Sequence, residues 1–150
     1  MAATTREQAM IALFNLLTSA YSFNYTSRRP ITASGLATLS MPALLLIDDD
    51  EEHVKGKYVT PAIRTLSCAA WIFISTGQDV SITPATLLNN IIDLIDPVSN
   101  GVLKPGPNGR QTLGNLVTDC YIEGKVQKDP GVQGGIGFAH VPMKIIFMNP

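Results

Sequence analysis

Charge is what this sequence has least of. Asp, Glu, Lys and Arg make up 15% of its 150 residues, against roughly 25% in an average soluble domain, so a free monomer would expose an unusually uncharged surface. Part of that surface is expected to be hidden in an assembly. The two signs almost cancel to a net charge of -1, which leaves no overall positive field to attract a phosphate backbone and argues against nucleic-acid binding as the main activity. Long apolar runs are missing too: none approaches the ~18 residues of a membrane span. Arg6 and Glu7 interrupt the N-terminal segment where a secretory signal would be continuously apolar, so the chain is expected to be made and kept in a cytoplasm, without a membrane partner. The Asn24, Tyr25, Thr26 triplet then has no access to glycosylation. Cysteine is scarce: Cys68 and Cys120 each sit in an apolar extended segment, where a reduced thiol acts as a small hydrophobe, and two residues do not make a disulfide framework. With His53 and His140 as the only histidines, few acid-base arrangements can be built.

Hydrophobic residues are plentiful, at 45% of the chain, enough for one core without disulfide or metal. Thr4 followed by Glu7 has the spacing of a capping box, and Met10, Leu13, Phe14, Leu17 and Tyr21 recur with helical period, so the first element is an amphipathic helix. Tyr21, Phe23 and Tyr25 alternate with smaller or polar residues before Arg28, Arg29 and Pro30, which predicts a short strand and an exposed turn. Residues 31–41 read as loop. Ala43 to Ile47 is a continuous apolar run, expected to be a strand buried on both faces, and the acidic run after it should end it. From Ala62 to Thr76 the chain is β-branched and aromatic, with Leu66, Cys68, Ala70, Ile72 and Ile74 on one face and Ala69, Trp71 and Phe73 on the other, which suits the central strand. Thr83 and Pro84 open a second helix carrying Leu87, Leu88, Ile91, Ile92 and Ile95, stopped by Pro97. Three Gly, two Pro and two Asn-Gly steps then predict a projecting loop at about 100–111. Leu116 to Val126 and Phe138 to Phe147 read as two extended segments joined by the Asp129 to Gly137 turn as a hairpin. Pro142 cannot donate to a ladder, so the last strand, with His140, Pro142 and Lys144, is expected to be an edge or to carry a bulge; an edge is a ready site for subunit pairing. The expectation is therefore a single α+β domain over residues 1–150, with a mainly antiparallel or mixed sheet of four to five strands and two helices packed on one face.

The chemistry-bearing residues are few. Asp48, Asp49, Asp50, Glu51 and Glu52, followed by His53, could supply oxygen ligands to a hard cation. The run lacks the spaced ligands and turn glycine of a calcium loop, however, and like-charge blocks usually form a solvated or interface-facing cluster. Nucleophilic catalysis needs a Ser or Cys with a His and an orienting acid; no nucleophile-elbow pattern occurs, and His140 lies within an extended segment. Gly131, Gly134, Gly135 and Gly137 are followed by a strand-like run rather than a helix, so they read as a turn and not a phosphate loop. Lys104, Asn108 and Arg110 make the projecting loop a candidate interaction loop, where Lys104 and Arg110 could meet an acidic partner or a phosphate, although two charges in a dozen residues are ordinary for a solvated loop and do not make a DNA site. The Trp71 and Phe73 face reads as core rather than ligand pocket. No cofactor is implied.

The run Gln111, Thr112, Leu113, Gly114, Asn115, Leu116, Val117, then Cys120, Tyr121, Ile122, Glu123, Gly124, then the Asp129 to Gly137 turn and the closing Val141, Pro142, Met143, Lys144, Ile145, Ile146 resembles the tail terminator proteins of long-tailed bacteriophages. The order of an N-terminal helix, the Pro42 to Ile47 segment, a long strand from Arg64 to Ser75 and a helix from Pro84 to Asp96 is similar to that family as well. The resemblance implies a homo-oligomeric, hexameric ring in the virion, at the head-proximal end of the tail tube. Such a ring stops tube growth and offers a docking surface to a neck or head-completion protein. Its lumen would pass DNA without holding it, so Asp48 to Glu52 would face the lumen or a subunit interface, by repulsion of phosphate. Two other readings remain open: a head-tail connector or head-completion protein, and a small metal-dependent enzyme using Asp48, Asp50, Glu52 and His53.

Overall fold

The computed structural model describes residues 4–32, 35, 40–55, 63–75, 83–131 and 135–148. The elements are α1 (Arg6–Thr18), β1 (Tyr25–Ser27), β2 (Ala43–Val54), β3 (Ile63–Ser75), α2 (Pro84–Asp93), a 3-10 turn (Pro97–Ser99), β4 (Asp119–Ile122), β5 (Gln127–Asp129) and β6 (Ile136–Met148). They build an α+β fold on one mixed sheet of six strands ordered β1-β2-β3-β6-β4, with β5 also pairing β6. Only the β1–β2 pair is parallel.

The strand count exceeds the expected four to five because the Leu116 to Val126 segment is not one strand. Its ordered parts are β4 and β5, which pair with different stretches of β6: Asp119 to Ile122 lie opposite Ile146 to Met143, and Gln127 to Asp129 opposite His140 to Phe138. The break falls at Pro142. The Pro142 carbonyl accepts from the Glu123 amide (3.1 Å), so its donor-less nitrogen points the same way, toward the interruption between β4 and β5. Gly124 turns there with φ 110°, and a Cβ on it would lie 3.3 Å from Pro142 Cγ. A proline can thus occupy an interior strand, and β6 is flanked by β3 on one side and by β4 and β5 on the other. His140, Pro142 and Lys144 are not on an edge strand.

β3 is the central strand, as the β-branched pattern predicts, paired over its length to β2 and β6. Alternation sends Leu66, Cys68, Ala70, Ile72 and Ile74 into the main core with Ala139, Val141, Met143, Ile145 and Phe147 of β6. Both helices cover this face: Ala9, Met10, Leu13 and Leu17 of α1 and Leu88, Ile91 and Ile92 of α2 are buried in the same cluster. Each of the larger of these side chains, such as Leu13, Leu17, Leu88 and Ile91, contributes roughly 1.5–3 kcal/mol by leaving water.

Helix starts follow from capping chemistry. In α1 the cap is Thr5, one residue later than the Thr4–Glu7 spacing suggests: the Thr5 hydroxyl accepts from the Gln8 amide (3.1 Å), and the Gln8 side-chain oxygen accepts from the Thr5 amide (2.8 Å). Glutamine satisfies the box as well as glutamate does. α2 begins as expected, with Thr83 accepting from Thr86 and Pro84 at the first helical position. Tyr21 and Phe23 are not strand residues; their rings meet edge to face at 5.3 Å and pack on the core, and the strand proper is Tyr25–Ser27. Aromatic alternation over so few residues marks a partly buried connection as readily as a strand.

The segment after α2 is anchored rather than loose. Val102 and Leu103 donate to the Leu94 and Ile95 carbonyls (2.8 and 3.1 Å), the Gln111 side chain donates to the Lys104 carbonyl (2.8 Å), and Leu103 is buried in the main core. Residues 104–110 are exposed beyond that anchor. The Gly and Pro content that predicts a projecting loop here also specifies tight turns, with Gly109 donating to the Gly106 carbonyl (3.0 Å).

Candidate functional site

The acidic run does not end β2; the strand continues through it to Val54. Opposite Ser67, between the Asp48↔Cys68 and Glu51↔Leu66 pairs, β2 carries both Asp49 and Asp50, a two-against-one bulge. The bulge divides the carboxylates. Asp48 and Glu51 turn to the α1 side, where Arg28 bonds both Glu7 of α1 and Asp48 (3.2 Å to the latter), and Arg6 pairs with Glu51. These two acids tie the first helix and the turn after β1 to the sheet. Asp49, Asp50 and Glu52 line a cavity of about 480 Å³ on the opposite face, with Ser67, Glu123, His140 and Lys144, and Glu51 reaches its border while paired to Arg6.

Two sets of residues that are far apart in sequence, the acidic run and the His140, Pro142 and Lys144 strand, therefore meet across the sheet. Lys144 donates to Ser67 Oγ (2.6 Å). The His140 ring lies 4.5 Å from the Trp71 ring, centroid to centroid, and its buried Nδ1 has no hydrogen-bond partner among the described residues. Trp71 stacks along Phe73 at 6.2 Å and tilts against Phe138 at 5.8 Å. This second face is thus apolar toward one end and acidic toward the other. Its apolar end is a small cluster of Met41, Ala43, Leu45 and Phe73, and a hollow of about 300 Å³ lies between Pro30, Ile31 and Thr32 on one side and Ile47 and Trp71 on the other. Trp71 is only partly buried, so the aromatic face is both secondary core and accessible surface. Strand parity in the sequence identifies this face; the bulge that adds the carboxylates has no sequence signature.

Lys104, Asn108 and Arg110 are exposed and stand apart from this cavity. Among the described residues, no group of three or more His, Cys, Asp or Glu side chains is placed to hold a metal ion. Asp48 is directed to Arg28 while Asp50 and Glu52 line the far face, and His53 bonds Glu51 (3.0 Å). Gly134 and Thr76 lie outside the described residues.

The Glu51 carboxyl is held at about 2, from an ordinary 4.5, first by its hydrogen bond to Arg6 and then by that to His53. A carboxylate depressed on folding stabilises above its unfolded value, and that contribution is lost as pH falls from about 4.5 toward 2. Arg6 is half exposed, so the effect is small and screened by salt. Arg6→Gln is expected to lower the melting temperature slightly at pH 6 and low salt, and to converge on the parent near pH 2; identical melting at pH 6 would remove the tether from this account.

Both thiols are buried, and burial pushes Cys68 up to about 12 and raises Cys120 likewise. Neither is expected to react with a maleimide at pH 7 in the native protein, and both should react after unfolding in urea. Rapid labelling under native conditions would contradict their placement.

Among the described residues, no helix is long and apolar enough to cross a membrane. No protein-family model and no curated protein sequence matches the chain.

Proposed function

We propose that this chain is a structural subunit of a phage virion, a tail terminator whose copies form a ring on the head-proximal end of the tail tube. The ring halts tube growth and offers its other side to a neck or head-completion protein. The observation that supports this most is the sheet's second face. Both helices lie on the other side, and this one presents the partly exposed Trp71 and Phe138 beside a cavity lined with carboxylates. A subunit that buries part of its surface against copies of itself has use for such a face, whereas the metal-enzyme reading requires Asp48, Asp50, Glu52 and His53 to converge, and the bulge separates them.

On this reading the acids differ in their availability for the assembly. Asp48 and Glu51 are occupied by Arg28 and Arg6, leaving Asp49, Asp50 and Glu52 for a lumen or an interface, where phosphate would be repelled or a cationic neighbour met.

The decisive measurement is the mass of the purified protein by light scattering, across concentration and with or without the tube protein of the same phage. A six-membered ring, alone or on tube addition, is the expected result. A strict monomer that ignores tube protein would overturn the proposal.

A further inference from the structure

Val98 is 92% exposed, far more than any other large hydrophobic residue among those described. It is also held rigidly. Its amide donates to Asp96 Oδ1 (2.9 Å), Pro97 opens the turn, Asn100 closes it at φ 61°, and Gly101 donates to the Asp96 carbonyl (2.8 Å). Leu94, the cap residue at the end of α2, is 43% exposed. An apolar knob whose conformational entropy is already lost on folding binds at reduced cost. The segment from Pro97 to Gln111 carries Lys104 and Arg110, both exposed, and no carboxylate; Asp93 and Asp96 precede it and are engaged by Ser99 and by the Val98 amide.

The open sheet face has the complementary features. Ile47 and Trp71 border the apolar hollow, and Asp49, Asp50 and Glu52 line the adjoining cavity. The cavity lining holds the carboxylates of Asp49, Asp50, Glu51, Glu52 and Glu123 against one lysine, Lys144, so negative charge dominates it. The knob, by contrast, is anchored through Ile95 and Leu103 in the core on the helix-covered face. Knob and hollow therefore belong to opposite sides of the sheet, and one copy cannot satisfy both with itself.

We infer that the turn at Val98 of one copy seats on the open sheet face of the next. Leu94 and Val98 rest on Ile47 and Trp71, and Lys104 and Arg110 face Asp49, Asp50 and Glu52. The contact is heterologous, so repetition produces a closed ring when the rotation per subunit divides a full turn; the inference rests on the ring reading above and assigns that ring its subunit contact.

The test uses the full-length protein and light scattering, with circular dichroism to establish that each variant is folded. Val98→Asp, and Val98→Ser as the milder change, should weaken self-association by about tenfold or more at a residue central to the contact. Lys104→Glu with Arg110→Glu should weaken it, as should Asp49→Lys with Asp50→Lys, and combining the two reversals should restore it. Assembly by the parent that none of these variants alters would overturn this contact while leaving the ring standing. Loss in each reversal without restoration in the combination would overturn the charge pairing. A parent that stays monomeric with tube protein present would overturn contact and ring together.

Discussion

Ile72→Ala is expected to lower the unfolding free energy by about 3–4 kcal/mol, in the upper part of the range for large-to-small changes at buried positions. Ile72 is fully buried at the middle of β3, between Leu44 on β2 and Ala139 on β6. Its neighbour along the same face toward the strand start is Ala70, also fully buried. Two of the surrounding side chains are already alanine and cannot extend into the space, and β3 is tied by ladders on both sides, so the backbone cannot close the cavity. For a domain of this size the loss corresponds to roughly 10 °C in melting temperature. Ile11 of α1 has the same side chain at 48% exposure, and Ile11→Ala should cost under about 0.5 kcal/mol. Urea denaturation of the pair separates the cases; equal costs would mean that the helices do not cover the face assigned to them.

Gly101→Ala should be nearly as damaging, at about 2–4 kcal/mol, for a different reason. A Cβ there would sit 2.4 Å from the Ile95 carbonyl carbon and 2.7 Å from the Asp96 nitrogen. These are backbone atoms that no rotamer change can move, so the turn itself must open. Opening it strips the Gly101 to Asp96 hydrogen bond (2.8 Å), strains those of Val102 and Leu103 to the helix end, and draws Leu103 from the core, where it is 1% exposed. Gly109 offers the control. Its φ of 74° carries a strain of about 1 kcal/mol for alanine, but no atom lies within 4 Å of the added carbon. A Gly101→Ala cost no larger than that of Gly109→Ala would refute the close approach. Because Gly101 holds the Val98 turn, the same change should also weaken the contact between copies proposed above, at temperatures where the protein is still folded.

Much of the architecture was legible in residue order. The alternation through β3 assigned Ile72 and Trp71 to opposite faces, and Thr83 with Pro84 marked the start of α2, because strand parity and helix capping are local rules that operate within a few residues. Boundaries set by partners were not legible. The acidic run looks like a strand terminator because carboxylates disfavour burial, yet β2 passes through it, since exposed side chains there find solvent, Arg6 and Arg28. Pro142 pointed to an edge because proline removes a donor. Whether that donor was needed depended on where β4 stops and β5 starts, which is decided by Gly124 on another segment.

The candidate site divides along the same line. Composition alone determined that the chain is apolar, nearly uncharged overall and poor in catalytic side chains, and local pattern determined the helices, the central strand and which residues share its faces. Only the tertiary structure decided that a bulge would split five consecutive acids between two faces, that Asp49, Asp50 and Glu52 would meet His140 and Lys144, and that Val98 would stand out in water. The physical reason is range. Periodicity and capping act over one or two turns of chain, whereas charge pairing across strands and the exposure of a turn depend on residues tens of positions away, brought together by burial of the shared core.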